Sequence, residues 1–67
     1  VVKALWIIVK WRFEWKGPRE EFVKKPGSQT YWDGESFVHW RGAAKPFKWP
    51  KIAHLVARTM RAEVERQ

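Results

Sequence analysis

From Leu5 to Trp15 every odd position is apolar, namely Leu5, Ile7, Val9, Trp11, Phe13 and Trp15, while the even positions Lys10, Arg12 and Glu14 are charged. Period-two alternation of this kind predicts a half-buried strand whose odd face, including Trp11, Phe13 and Trp15, packs on a core. The first half departs from the rule, because Trp6 and Ile8 make its even face apolar as well. Either a loop or the end of a helix covers them, or they form an exposed patch for a second copy of the chain or another partner; a domain this small favours covering.

Beyond this strand, "KGPR" (Lys16 to Arg19) holds the Gly-Pro pair of a turn, and "EEFVKK" (Glu20 to Lys25) reads as a second, charged strand. "PGSQ" interrupts the chain again. Thr30 to Trp32 and Glu35 to Trp40 flank Asp33-Gly34, a short-range hairpin signal, since a type I′ turn needs positive φ at both central positions. The register stays open: a two-residue turn sets Thr30 opposite Phe37, whereas a three-residue turn with a bulge sets Tyr31 and Phe37 on one face.

Arg41 to Pro50 is a connector broken by Gly42, Pro46 and Pro50. Proline suits the first helical position, so a helix is expected to begin near Pro50 and to run to about Glu65 without another Gly or Pro. At helical spacing Ile52, Ala53, Val56, Ala57, Met60 and Val64 share one side, and Lys51, His54, Arg58 and Arg61 lie opposite, with Glu65 at the far end of that arc. The expected architecture is a single α+β domain over residues 1–67, β-β-β-α in order. Its three- or four-stranded antiparallel sheet is followed by one C-terminal amphipathic helix packed on one face.

"YWDGESFV" followed by "AKPFKWPKIAHLVARTM" resembles the pattern of short, mostly uncharacterised phage and prophage proteins. In these an aromatic hairpin Y-x-D/N-G-x-x-F/W leads to A-K-x-F and then to a helix carrying A-x-x-V-A. The resemblance covers roughly Thr30 to Met60. It implies a β-β-β-α fold, a phage or mobile-element origin and structural roles for Tyr31, Phe37, Ala44, Lys45, Phe47, Ala53, Val56 and Ala57. It also implies a small regulator or inhibitor that binds a host macromolecule, and it transfers no catalytic residue.

Composition sharpens this picture. With 67 residues and no Cys, the core must be small and dense, with neither a disulfide nor a thiolate zinc site to support it, and six Trp, four Phe and one Tyr suit that need. The apolar start, "VVKALWIIV", is shorter than the roughly 20 residues of a membrane span and is interrupted by Lys3, so no span is expected and a cytoplasmic site is the default. For a phage-encoded protein that means the host cytoplasm.

Net charge is +7 and unevenly placed. No acidic residue lies between Ser36 and Ala62, where Arg41, Lys45, Lys48, Lys51, Arg58 and Arg61 fall. Asymmetry of this sort points to an anionic partner, either nucleic acid or an acidic host protein surface.

Catalytic and metal-binding constellations are missing from the sequence. His39 and His54 lie apart with no H-E-x-x-H or comparable spacing, and the carboxylates Glu14, Glu20, Glu21, Asp33 and Glu35 are scattered along predicted hairpins. No serine or threonine sits in a nucleophile motif, and the four glycines have no phosphate-loop spacing. No enzyme activity, metal or cofactor is expected.

What remains is a basic and aromatic surface. Arg41, Lys45, Lys48, Lys51, His54, Arg58 and Arg61 are the candidate contacts to nucleic acid or another anionic partner, with Trp40 or Trp49 available to stack on an unpaired base. The competing expectation is a protein inhibitor of a host enzyme, docking through an apolar patch of Trp6, Ile8 and Trp32. Phe37 and Phe47 are expected in the core, whereas alternation leaves Trp6, Trp32, Trp40 and Trp49 undecided between core and surface.

Overall fold

Ile7, Ile8 and Val9 are all fully buried, so the first strand has two packed faces where its alternation predicts one. The computed structural model describes residues 4–18 and 21–67. Arg19 of the first turn and Glu20 at the start of the expected second strand lie outside the described residues.

An antiparallel sheet in the order β5-β4-β1-β6 is built from β1 (Trp6–Lys10), β4 (Thr30–Trp32), β5 (Phe37–Val38) and β6 (Glu63–Arg66). A separate two-stranded ribbon pairs β2 (Phe13–Lys16) with β3 (Glu21–Lys24). A 3-10 turn, Arg41–Ala43, and one helix, α1 (Pro50–Thr59), complete the α+β fold. No helix among the described residues is long and apolar enough to cross a membrane.

Register assigns the faces, because directly paired residues point the same way. Val9 pairs with Tyr31 and Ile7 with Glu65. On that side Ile7, Val9, Tyr31 and Ala44 form a core cluster with Trp11 packed against it. Ile8 pairs with Val64 on the opposite side. There α1, which packs on β1 and β6, buries Ala53 and Ala57. Being central, β1 carries a core on both sides, and Ile8 therefore forms no surface patch. Trp6 is half-buried, and its backbone exchanges hydrogen bonds with Phe47 at 2.9 and 2.7 Å.

The long first strand divides at Trp11-Arg12. Up to Lys10 it lies between β4 and β6, whereas from Phe13 its only partner among the described residues is β3. Nothing described covers the ribbon, so Phe13 (56% exposed) and Trp15 (55%) face solvent together with Phe22, in place of the expected core positions. Trp15 and Phe22 lie edge to face, with ring centroids 4.9 Å apart. The molecule extends 47 × 24 × 21 Å along its principal axes.

Helix α1 begins at Pro50 as the sequence predicts, with Trp49 as an N-cap that makes no side-chain hydrogen bond. It ends six residues short of Glu65. Met60 is the C-cap and Arg61 takes a left-handed φ of 54°. The Ala62 N–H donates to the Ala57 carbonyl at 2.9 Å and the Arg61 N–H to the Arg58 carbonyl at 3.4 Å. These two bonds are those of a Schellman motif with Arg61 where glycine is usual. The chain then returns as β6, so Val64 and Glu65 belong to a strand and not to the helix. Ile52, expected on the buried side, is exposed, while Val56 and Met60 are half-buried.

Candidate nucleic-acid interface

The hairpin register places Trp32 opposite Phe37 and Tyr31 opposite Val38, which is neither of the two arrangements anticipated. Its turn is centred on Gly34-Glu35, with Gly34 at φ 109°. The Asp33 N–H donates to the Ser36 carbonyl at 3.0 Å, and Asp33 Oδ1 accepts the N–H groups of Glu35 and Ser36, both at 2.8 Å. The Ser36 bond first, then the Glu35 bond, hold the Asp33 carboxyl below its ordinary pKa. Asp33 is thus a turn residue. Trp32 and Phe37 are half-buried against each other at 5.2 Å, which leaves Trp40 as the outward ring.

Trp40 is 74% exposed and Trp49 66% exposed. One face of the Trp40 indole lies over Gly42, where a Cβ would stand 2.8 Å from the ring. The backbone there holds the indole in place. Trp49 leads directly into α1.

Among the seven candidate cationic and histidine residues all are exposed, but they do not form one surface. Arg41 lies on the Tyr31 side of the sheet, its guanidinium 5.6 Å from the Tyr31 ring centre and 3.8 Å from Glu65 Oε2. It is a packing and ion-pairing residue there. Lys45 lies with Phe47, 5.7 Å from that ring's centre, and Phe47 bridges to Trp6. It therefore shares the side of Ile8 and α1, where Lys51, His54 and Arg58 point outward. Lys48 is exposed in the approach to α1, and Arg61 follows its end. No acidic residue stands in the first turn of α1, so the positive end of its dipole adds to Lys51.

The sheet separates charge further. Lys10 and Arg66 point to the α1 side, since they pair with Thr30 and Trp6, and Glu63 and Glu65 point to the other side, since they pair with Val9 and Ile7. Those two carboxylates are held by cations, Glu63 by Lys24 Nζ at 2.6 Å and Glu65 by Arg41. Glu63 also borders a shallow hollow of about 450 Å³ with His54 and Arg58, with Lys24 compensating its charge. Among the described residues, ion pairs engage only Lys16, Lys24 and Arg41 of the lysines and arginines.

Sequence reasoning missed a second basic element on the α1 side. Lys10, Arg12, Lys25 and His39 line a groove of about 440 Å³ with Trp11, Ser28 and Thr30. Its members come from the end of β1, the loop after β3 and the end of β5. Only antiparallel pairing joins them, and no local spacing reports it. Among the described residues no group of three or more His, Asp or Glu comes together in a metal-holding arrangement.

No known protein-family model matches the chain, and neither curated proteins nor solved structures show a significant similarity to it. The likeness of Thr30 to Met60 to phage proteins rests on the residue pattern alone.

Proposed function

We propose that this chain is a small, non-enzymatic regulatory protein that binds nucleic acid through the cationic α1 side of its sheet, as a phage-encoded protein in a host cytoplasm would. The observation that carries the reading is the separation of charge. Lys10, Lys45, Lys51, Arg58 and Arg66 lie on one side, while Glu65 is turned to the other and paired there with Arg41, and Glu63, which borders the hollow of His54 and Arg58, is compensated by Lys24. Lysines and arginines along a polyanion displace its counterions, which makes binding strong at low salt and sequence-tolerant. Exposed Trp40 and Trp49 supply rings for unpaired bases at about 1 to 3 kcal/mol each. Titration of a labelled oligonucleotide by fluorescence anisotropy tests this directly. Affinity is expected to fall steeply between about 50 and 200 mM salt, and salt-independent binding or none would refute the reading.

A second reading draws on the ribbon. Phe13, Trp15 and Phe22 form an exposed aromatic face, and they replace the Trp6, Ile8 and Trp32 patch as the surface through which an inhibitor would dock on a host enzyme. Capture of a protein partner that survives high salt and is lost in Phe22→Ala would favour it.

A further inference from the structure

The groove lined by Lys10, Arg12, Lys25 and His39 shares only Lys10 with the contacts considered above. Its lining contains no carboxylate. Its walls are held by hydrogen bonds between segments far apart in sequence. The Ser28 hydroxyl accepts the Arg12 N–H at 3.1 Å and donates to the Lys25 carbonyl at 2.6 Å. The Lys25 N–H donates to the Arg12 carbonyl at 2.8 Å, and the Thr30 hydroxyl donates to the Lys10 carbonyl at 3.3 Å.

Pro26-Gly27 turns the rim, closed by the Ser28 N–H to the Lys25 carbonyl at 3.2 Å. Gly27 has φ 76°, as the third residue of a type II turn requires, and nothing stands within 4 Å of where its Cβ would be, so the rim is open to an approaching group. The hydroxyls are occupied in bracing the walls. Among the described residues Arg12 and Lys25 form no ion pair, and Lys10 rests over the Phe37 ring, 5.3 Å from its centre.

We infer that this groove is a phosphate-binding site, with Arg12 and Lys25 as its principal contacts and Lys10 and His39 completing the electropositive wall. Several cations lining one braced frame suit a compact oxyanion, and a forked guanidinium such as that of Arg12 can match two phosphate oxygens at once. Groove volume falls within the usual range of ligand pockets, about 300 to 1,000 Å³. Because Lys10 and Thr30 of its lining point to the α1 side, the inference rests on the proposed nucleic-acid reading for its natural ligand, a backbone phosphate of the bound strand. A free phosphorylated small molecule presents the same chemistry.

Two titrations of the intact, isotopically labelled chain decide between these sources. With inorganic pyrophosphate, amide shifts are expected at Arg12, Lys25, Gly27 and Ser28, and Arg12→Gln/Lys25→Gln should weaken binding by about tenfold or more. The conservative Arg12→Lys/Lys25→Arg protein should recover part of the loss, which excludes a folding defect. With an oligonucleotide the same double variant should lose affinity to a similar extent. Pyrophosphate binding without oligonucleotide binding leaves the groove as a site for small phosphates and refutes the nucleic-acid reading. Oligonucleotide binding that ignores Arg12→Gln/Lys25→Gln, or pyrophosphate shifts confined to α1, overturns the groove and leaves that reading standing.

Discussion

Ile8 on β1 lies directly opposite Val64 on β6, a strand pairing that a helix unbroken to Glu65 would have excluded. The pairing gives β1 a second neighbour and places Ile8 beneath α1, with none of its surface exposed. Truncating a side chain of this kind removes transfer energy and leaves a cavity. Ile8→Ala is therefore expected to lower stability by about 2 to 5 kcal/mol in urea unfolding. Phe13→Ala, on the open ribbon, should stay within about 0.5 kcal/mol of the parent. A reversal of that order would mean that the ribbon folds back onto the sheet.

Arg61 occupies the left-handed position that closes α1, where an L side chain is strained by contact with its own backbone. Arg61→Gly should relieve this and stabilise the domain by about 1 kcal/mol. If Arg61 also contacts a polyanion, the same variant binds an oligonucleotide more weakly. Thermal unfolding and anisotropy on one protein would then move in opposite directions.

The Asp33 carboxylate accepts two backbone N–H groups, which depresses its pKa in the folded state below the ordinary 3.8. A depressed carboxyl contributes stability that is present above its unfolded pKa and lost as pH falls through the lower folded one. Hairpin stability should therefore decline as pH drops below about 4. In Asp33→Asn, which keeps an acceptor oxygen but does not titrate, this contribution to the pH dependence should vanish. Thermal melts between pH 2 and 6 compare the two proteins.

Charge reversal distinguishes the two sides of the sheet. Lys51→Glu/Arg58→Glu, on the exposed side of α1, should reduce oligonucleotide affinity by about tenfold or more at low salt. Arg41→Gln should leave affinity within about twofold, because Arg41 faces Tyr31 and Glu65 on the opposite side and a lone exposed ion pair contributes little. Arg41→Gln removes one unit of charge and the double reversal four, so equal losses per unit of charge removed would show that the polyanion is attracted by net charge alone.

The sequence by itself determined the α+β class, the start of α1 at Pro50, the breaks at the proline and glycine turns and the strongly basic C-terminal half. Each is written in local chemistry: ring-constrained φ at proline, glycine in turns, alternation in strands and the count of ionised groups. Only the tertiary structure decided the rest. The end of α1 could not be read because its Schellman position is filled by Arg61, not by glycine, and "EVER" continues a helix as readily as it makes a strand. Alternation could not assign Phe13 and Trp15 because a period says which residues share a face, not whether anything covers that face. β1 is covered on both sides and β2 on neither. The groove of Lys10, Arg12, Lys25 and His39, and the turning away of Glu65 from the basic side, arise from register between distant strands. Register is set by the competition of whole faces for burial, which no short stretch of sequence contains.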